Sequence, residues 1–262
     1  MKKNQKMTAM ALMMASIISV AGLSAQISGT EVMENVYNRP AGEEMNANLV
    51  MTITNSRGST RERSIIQYSM ETQEKESKIM FFTAPADVRD TSFMTWSWED
   101  GRNDDQWIYL PALRRVKRIS SDSKNDSFMG SDFTYDDLGE RHPSEDRHTI
   151  IGEEMIDGED CYIVESVPVG DDDAFSQTIS WIVKDKWIGL KRNYYDEKNQ
   201  VYKNLSIDAF DRIDGFWIIT DMTMTDMDRN NSTRIEMRDV SFNVDLEESF
   251  FTERQMKIGP RR

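Results

Sequence analysis

Apolar positions along the chain recur first at helical and then at strand spacing. In "GTEVMENVYNRP", Val32, Met33, Val36 and Tyr37 fall on one side of a helix that Pro40 would stop. From Asn46 the period becomes two. Leu49, Met51 and Ile53 alternate with Val50, Thr52 and Thr54, and the same rhythm groups Met94, Trp96 and Trp98. Further along it groups Ile179, Trp181 and Val183, and then Phe216, Ile218, Met222 and Met224. Such runs recur roughly every 10 residues as far as Val244, separated by "NSRGS", "EDGRNDD", "IDGED", "DEKNQ", "RIDG" and "DRNN". These separators are hairpin-formers. The pattern predicts an antiparallel sheet of about ten or more strands that curls on itself, with almost no helix between strands. "LEESFFTERQMK" reads as a last short helix or docking segment. No repeat, linker or composition break marks a second domain, so residues 26–262 are expected to form one domain.

The first residues change the picture by naming a compartment. Lys2, Lys3 and Lys6 precede the apolar run "MTAMALMMASIISVAGL", and small residues follow at Ser24 and Ala25. That is the layout of a secretory signal peptide over residues 1–25, with an apolar stretch short for a spanning helix. No cysteine lies near the expected cleavage site, so lipid attachment there is not expected. Losing the leader takes the formal charge from -14 to -17, because three lysines leave and no acid does. A field of that sign repels nucleic acid and anionic membrane surfaces, leaving at most transient membrane contact. Cys161 is the only cysteine, so the fold must rest on its core with no internal disulfide.

Catalytic signatures are thin. His142 and His148 stand six residues apart in "RHPSEDRHTI", beside Glu145 and Asp146, without the helical spacing of a zinc pair. Cys161 lies in the strand-like "EDCYIVES", where a buried inert thiol is the usual outcome. Asp171 to Asp173 lack the spaced ligands of a calcium loop. No catalytic residue, metal site or cofactor is expected. The many methionines and tryptophans on one-face sets fit either a plain packed core or a wall that adapts to varied apolar ligands.

One stretch stands apart. "DDQWIYLPALRRVKRISSDSKNDSFMGSDFTYDDL", Asp104 to Leu138, resembles the signature block of the bacterial outer-membrane lipoprotein-sorting protein family, the LolA-like periplasmic proteins. "FTAPADVRDTSFMTW", "DGEDCYIVES", "DRIDGFWIITDMTMTD" and "SFFTER" extend the resemblance over nearly the whole mature chain. It implies a mainly β fold, a strongly curved incomplete antiparallel β-barrel whose open side is plugged by helices or loops over an apolar cavity. It further implies a lipid or acylated-protein cargo and an inner-membrane transporter partner of the RND type.

With that architecture, the cavity wall is expected at Leu49, Met51, Ile53, Met94, Trp96, Trp98, Trp181, Met222 and Met224. Phe128, Met129 and Phe133, an apolar knot in a polar segment turned by Gly130, read as a lid. Arg114, Arg115, Lys117 and Arg118 read either as a clamp for a phosphate head group or acidic partner, or as internal partners of Asp104, Asp105, Asp136 and Asp137. The carrier reading competes with a non-carrier docking subunit of a transporter, whose interior would be filled, and more remotely with a hydrolase using His142 or His148.

Overall fold

The computed structural model describes residues 27–170 and 173–261. The expected signal peptide therefore lies outside the described residues, as do Asp171 and Asp172 of the acidic turn. The chain opens with α1 (Gly29–Tyr37). Its first turn is closed by a capping box, in which Ser28 Oγ accepts the Glu31 N–H at 3.1 Å and Glu31 accepts the Ser28 N–H at 2.7 Å.

Strands β1 (Glu44–Thr54), β2 (Thr60–Glu71), β3 (Lys75–Ala84), β4 (Ser92–Trp98), β5 (Asp105–Leu110) and β6 (Arg115–Arg118) follow. After a long connection come β7 (Asp146–Ile156), β8 (Glu159–Pro168), β9 (Gln177–Val183), β10 (Gly189–Tyr195), β11 (Val201–Ile213), β12 (Phe216–Asp226) and β13 (Asn231–Phe242). All thirteen form one antiparallel sheet in the order β6-β5-β4-β3-β2-β1-β13-β12-β11-β10-β9-β8-β7. Each half is a meander, and the two are joined where β1 pairs with β13, with Met51 opposite Ile235. The turns are those the sequence marks. Asp157-Gly158 and Asp214-Gly215 have positive φ at both positions (51° and 88°, 50° and 95°), the geometry of the tight hairpin turn.

The sheet does not close, since β6 and β7 are its two free edges. Residues 119–145 run from one edge to the other, and part of this connection crosses the concave face. At its centre the Asp132 N–H donates to Thr233 Oγ1 of β13 at 2.9 Å, and the Thr233 hydroxyl donates back to the Asp132 carboxylate at 2.7 Å. Phe128 is fully buried and stacks 5.0 Å from Phe93 and 5.9 Å from Phe82. The main core thus lies between the concave face of β1–β5 and this plug, and Leu49, Met51, Ile65, Met80 and Ile108 belong to it.

The outer face has its own cores. Over β2–β5 it is covered by the C-terminal segment, in which Leu246, Phe250 and Phe251 lead into α2 (Glu253–Ile258). The Ser92 hydroxyl donates to the Met256 carbonyl at 2.9 Å and fixes that helix to β4. Over β8–β12 the outer face carries Cys161, Val183, Ile188, Trp181 and Trp217. On the inner side α1 lays Val32 against Val164 and Ile182 of β8 and β9. Among the described residues no helix is long and apolar enough to cross a membrane.

Candidate functional site

Where the plug leaves the concave face of β8–β12 uncovered, α1 roofs it over. A cavity of about 430 Å3 remains beneath, within the ~300–1,000 Å3 of small-molecule sites. Met33 and Val36 of α1 line it above, and Phe133 and Leu138 of the plug flank it. Its floor carries Tyr194, Leu205, Met222 and Met224.

Of the sequence-predicted wall, Met222 and Met224 line this cavity. Leu49, Met51 and Ile53 stand on the same concave face but belong to the packed cluster around Phe128, away from the space. Met94, Trp96, Trp98 and Trp181 are corrected: they point to the other face. Met94 is buried with Phe250, Phe251 and Met256, and Trp96 packs edge-on to Trp107 at 4.8 Å and to Trp98 at 6.0 Å. Trp181 donates Nε1 to Glu154 Oε2 at 2.6 Å on the outer side of β9. The reason is that alternate residues of a strand point to opposite faces. On β4 and β9 the concave beat is the more polar one, Phe93-Thr95-Ser97 and Thr178-Ser180-Ile182, so the more apolar beat does not mark the concave face.

The knot is tightly built. Phe128 N–H donates to the Phe133 carbonyl at 2.8 Å, and the Ser131 hydroxyl donates to the Phe128 carbonyl at 2.7 Å. Met129 and Gly130 take left-handed φ of 52° and 74°. Phe133 reaches the cavity, whereas Phe128 lies wholly in the core and Met129 is partly covered.

The cations divide. Arg118 pairs with Asp105, which also accepts Trp98 Nε1–H at 3.2 Å on the outer face. Arg115 and Lys117 share a face with Leu110 and Ile108 but stand exposed at the edge strand β6. Arg114 is turned out in a left-handed conformation after a 3-10 turn at Pro111–Leu113. Among the described residues Arg114, Arg115 and Lys117 form no salt bridge, and none of the four lines the cavity.

Of the aspartates expected to receive them, Asp105 takes Arg118, whereas Asp104 and Asp137 serve the plug. Asp137 pairs with Lys203 at 2.5 Å. Asp104 accepts the Glu140 N–H and the Ser97 hydroxyl, both at 3.0 Å. Burial, opposed by those two hydrogen bonds, pushes its carboxyl up to about 6. The far end of the plug is held by Arg141, bidentate on Asp146 at 2.7 and 2.8 Å and reaching Asp173 at 2.6 Å.

His142 and His148 are not brought together as a reactive pair. His142 caps a 3-10 turn, with Nδ1 2.7 Å from Ser144 Oγ. His148 Nε2 lies 2.8 Å from the Pro143 carbonyl and must donate to it, leaving Nδ1 to accept the Ser166 hydroxyl at 2.8 Å. Cys161 is buried in the outer core. Among the described residues no group of three His, Cys, Asp or Glu side chains could hold a metal ion.

A carboxyl pair crosses the seam beside the cavity. Glu76 of β3 pairs with Lys78 at 3.1 Å, and Glu140 of the plug hydrogen bonds to Glu76. Burial works against the charge on Lys78, but Glu76, Glu140 and Asp104 outweigh it and hold the ammonium above its usual range. Crowding by the protein, and then the charge of Glu76, pushes the Glu140 carboxyl from 4.5 up to about 8. The folded protein therefore keeps a proton between those values that the unfolded chain releases. Stability from this group is fully present below about 4.5 and is lost as pH rises through about 8. Thermal midpoints should fall over that window. Glu140→Gln, which keeps a donor to Glu76 without a titrating proton, should flatten the upper part of the fall. Equal slopes in wild type and variant would show that Glu140 ionises freely.

Sequence reasoning missed Arg39, Arg192, Tyr194 and Leu205 in the cavity wall. One signal existed: Arg192 keeps phase with Tyr194 in "GLKRNYY", a cation on the apolar beat of a strand.

Comparison with known proteins fits this architecture. A family model described as an uncharacterized protein matches residues 74–258. The crystal structure of a DUF1329 family protein from Desulfovibrio piger is 31% identical over 87% of this chain and 97% of its own, with a TM-score of 0.81. An outer membrane lipoprotein-sorting protein domain from Vibrio parahaemolyticus is also 31% identical, over 87% of this chain and 98% of its own, with a TM-score of 0.82. A LolA superfamily protein from Nitrosomonas europaea shares the fold at 18% identity, over 88% of this chain and 100% of its own, with a TM-score of 0.68. No curated protein matches the chain. This chain therefore belongs to the family of the first two, the DUF1329 or outer-membrane lipoprotein-sorting protein family, and has the LolA-like fold.

Proposed function

We propose that this protein is a non-enzymatic periplasmic carrier that takes an acyl chain of a lipid or acylated protein into the cavity beneath α1. It would pass that cargo to or from a membrane complex, with an RND-type inner-membrane transporter as the partner the resemblance implies. The observation that carries this reading is the cavity itself, walled by Met222, Met224, Leu205, Phe133 and Leu138 in a fold shared with a lipoprotein-sorting relative. Methionine walls adapt to varied chain shapes. Binding would rest on burial of apolar surface, at ~25 cal/mol per Å2, with no covalent step.

The competing docking-subunit reading draws on one feature. Over β1–β5 the concave face is already filled by the plug, and edge strand β6 presents Arg115 and Lys117 outward. Filling the remaining space separates the two readings. Met222→Trp, which places extra bulk on the cavity floor, should weaken binding of a fluorescent fatty acid by about tenfold or more, equivalent to ~1.4 kcal/mol. Unchanged binding in a folded variant would remove the cavity as the cargo site.

A further inference from the structure

Two arginines line the cavity without a carboxylate partner among the described residues. Arg39 follows α1, and its Nε and Nη1 are buried with no hydrogen-bond acceptor. Arg192, on β10, gives Nε to Ser180 Oγ at 3.0 Å and forms no salt bridge. Other basic side chains around the cavity are taken: Arg141 by Asp146 and Asp173, Lys203 by Asp137, and Lys78 by Glu76. In a chain with 46 acidic residues against 32 lysines and arginines, two cations left unpaired inside a cavity are a specific arrangement. A buried guanidinium nitrogen without an acceptor is costly, and an incoming anion relieves that cost.

The acids in the same wall set the limit on that anion. Glu71, Glu76, Glu99 and Glu140 line the side of the cavity nearest the ends of β2–β4. Glu140, the carboxyl placed to act on Arg39, keeps its proton at neutral pH against Glu76, and so leaves Arg39 uncompensated while Glu71, Glu76 and Glu99 form the acidic rim. A dianion would meet this acidic rim, whereas a single negative charge can be matched by one arginine.

We propose that the cavity binds amphiphiles carrying one negative charge, with Arg39 as the head-group contact, Arg192 as its support and the tail against Leu205, Met222 and Met224. The site deepens the carrier reading and rests on it. It also moves anion recognition away from Arg114, Arg115, Lys117 and Arg118, which stand outside the cavity.

The test uses three ligands with one chain length, at neutral pH: laurate, methyl dodecyl phosphate and dodecanol. Each is titrated as a competitor of a neutral fluorescent probe against the mature protein. Wild type should bind at least one of the two anions about tenfold or more tighter than dodecanol, and which one it prefers names carboxylate or phosphodiester as the source. Arg39→Gln should reduce that anion's affinity to the level of the alcohol while leaving dodecanol unchanged, and Arg192→Gln should cause a smaller loss. Circular dichroism and thermal midpoints check that both variants remain folded, and Arg39→Lys should restore part of the preference. A wild-type protein that binds all three equally, or a double Gln variant that keeps its preference, overturns the head-group site while sparing the carrier reading. Binding of none of the three overturns both.

Discussion

Replacing Phe128 by alanine should destabilise the protein by about 3–5 kcal/mol, the usual cost of emptying a fully buried aromatic site. At this chain length that is a fall in thermal midpoint on the order of 10 °C. The side chain has no exposed surface and sits between Phe82, Phe93 and Tyr135. It closes the main core from the seam side. A lid poised to swing away would behave differently, with stability nearly unchanged and faster entry of an apolar probe. A variant that melts like wild type but fills faster would show that the knot opens as a unit and that the plug description is wrong. Met129, only partly covered, should tolerate the same truncation at about 1 kcal/mol or less.

Arg141→Gln should be the second large effect. It leaves Asp146, with its side chain only 6% exposed, and Asp173 without their cation. Breaking a buried pair by removing one partner costs ~3–5 kcal/mol, and partial exposure here lowers the expectation to ~2–3 kcal/mol. Because Arg141 fixes the end of the plug to β7, the loss should also appear as protease cleavage within residues 119–145. Loss of stability without new cleavage would mean that the seam is held elsewhere, by Asp132–Thr233 and Asp137–Lys203.

The strands, their hairpins and the opening helix were legible because each rests on local rules. Alternation marks a strand, Asp-Gly marks a two-residue turn, and Ser28 with Glu31 marks a helix start. The family was legible too, through the Asp104–Leu138 block. What alternation could not supply was the sign of curvature. Met51 and Met94 sit on equally regular apolar beats, yet one faces the plug and the other faces α2. The choice depends on which distant segment covers which face, and the C-terminal segment that covers Met94 reads as a last short helix or docking segment without showing which face it docks on.

The partners of the cations were likewise set by distance in the fold. Asp137 meets Lys203, 66 residues away, and the nearby Arg115 and Lys117 stay at the edge. Arg39 and Arg192 are separated by most of the chain and share a cavity only because α1 is laid across β8 and β9.

Native mass spectrometry of the protein purified without detergent would show whether the space beneath α1 holds an acyl chain. An adduct of lipid mass is expected, which gentle activation releases, lipid extraction identifies and Met222→Trp removes. A protein found only at its bare mass, which still takes up no fatty acid when one is offered, would contradict the carrier reading.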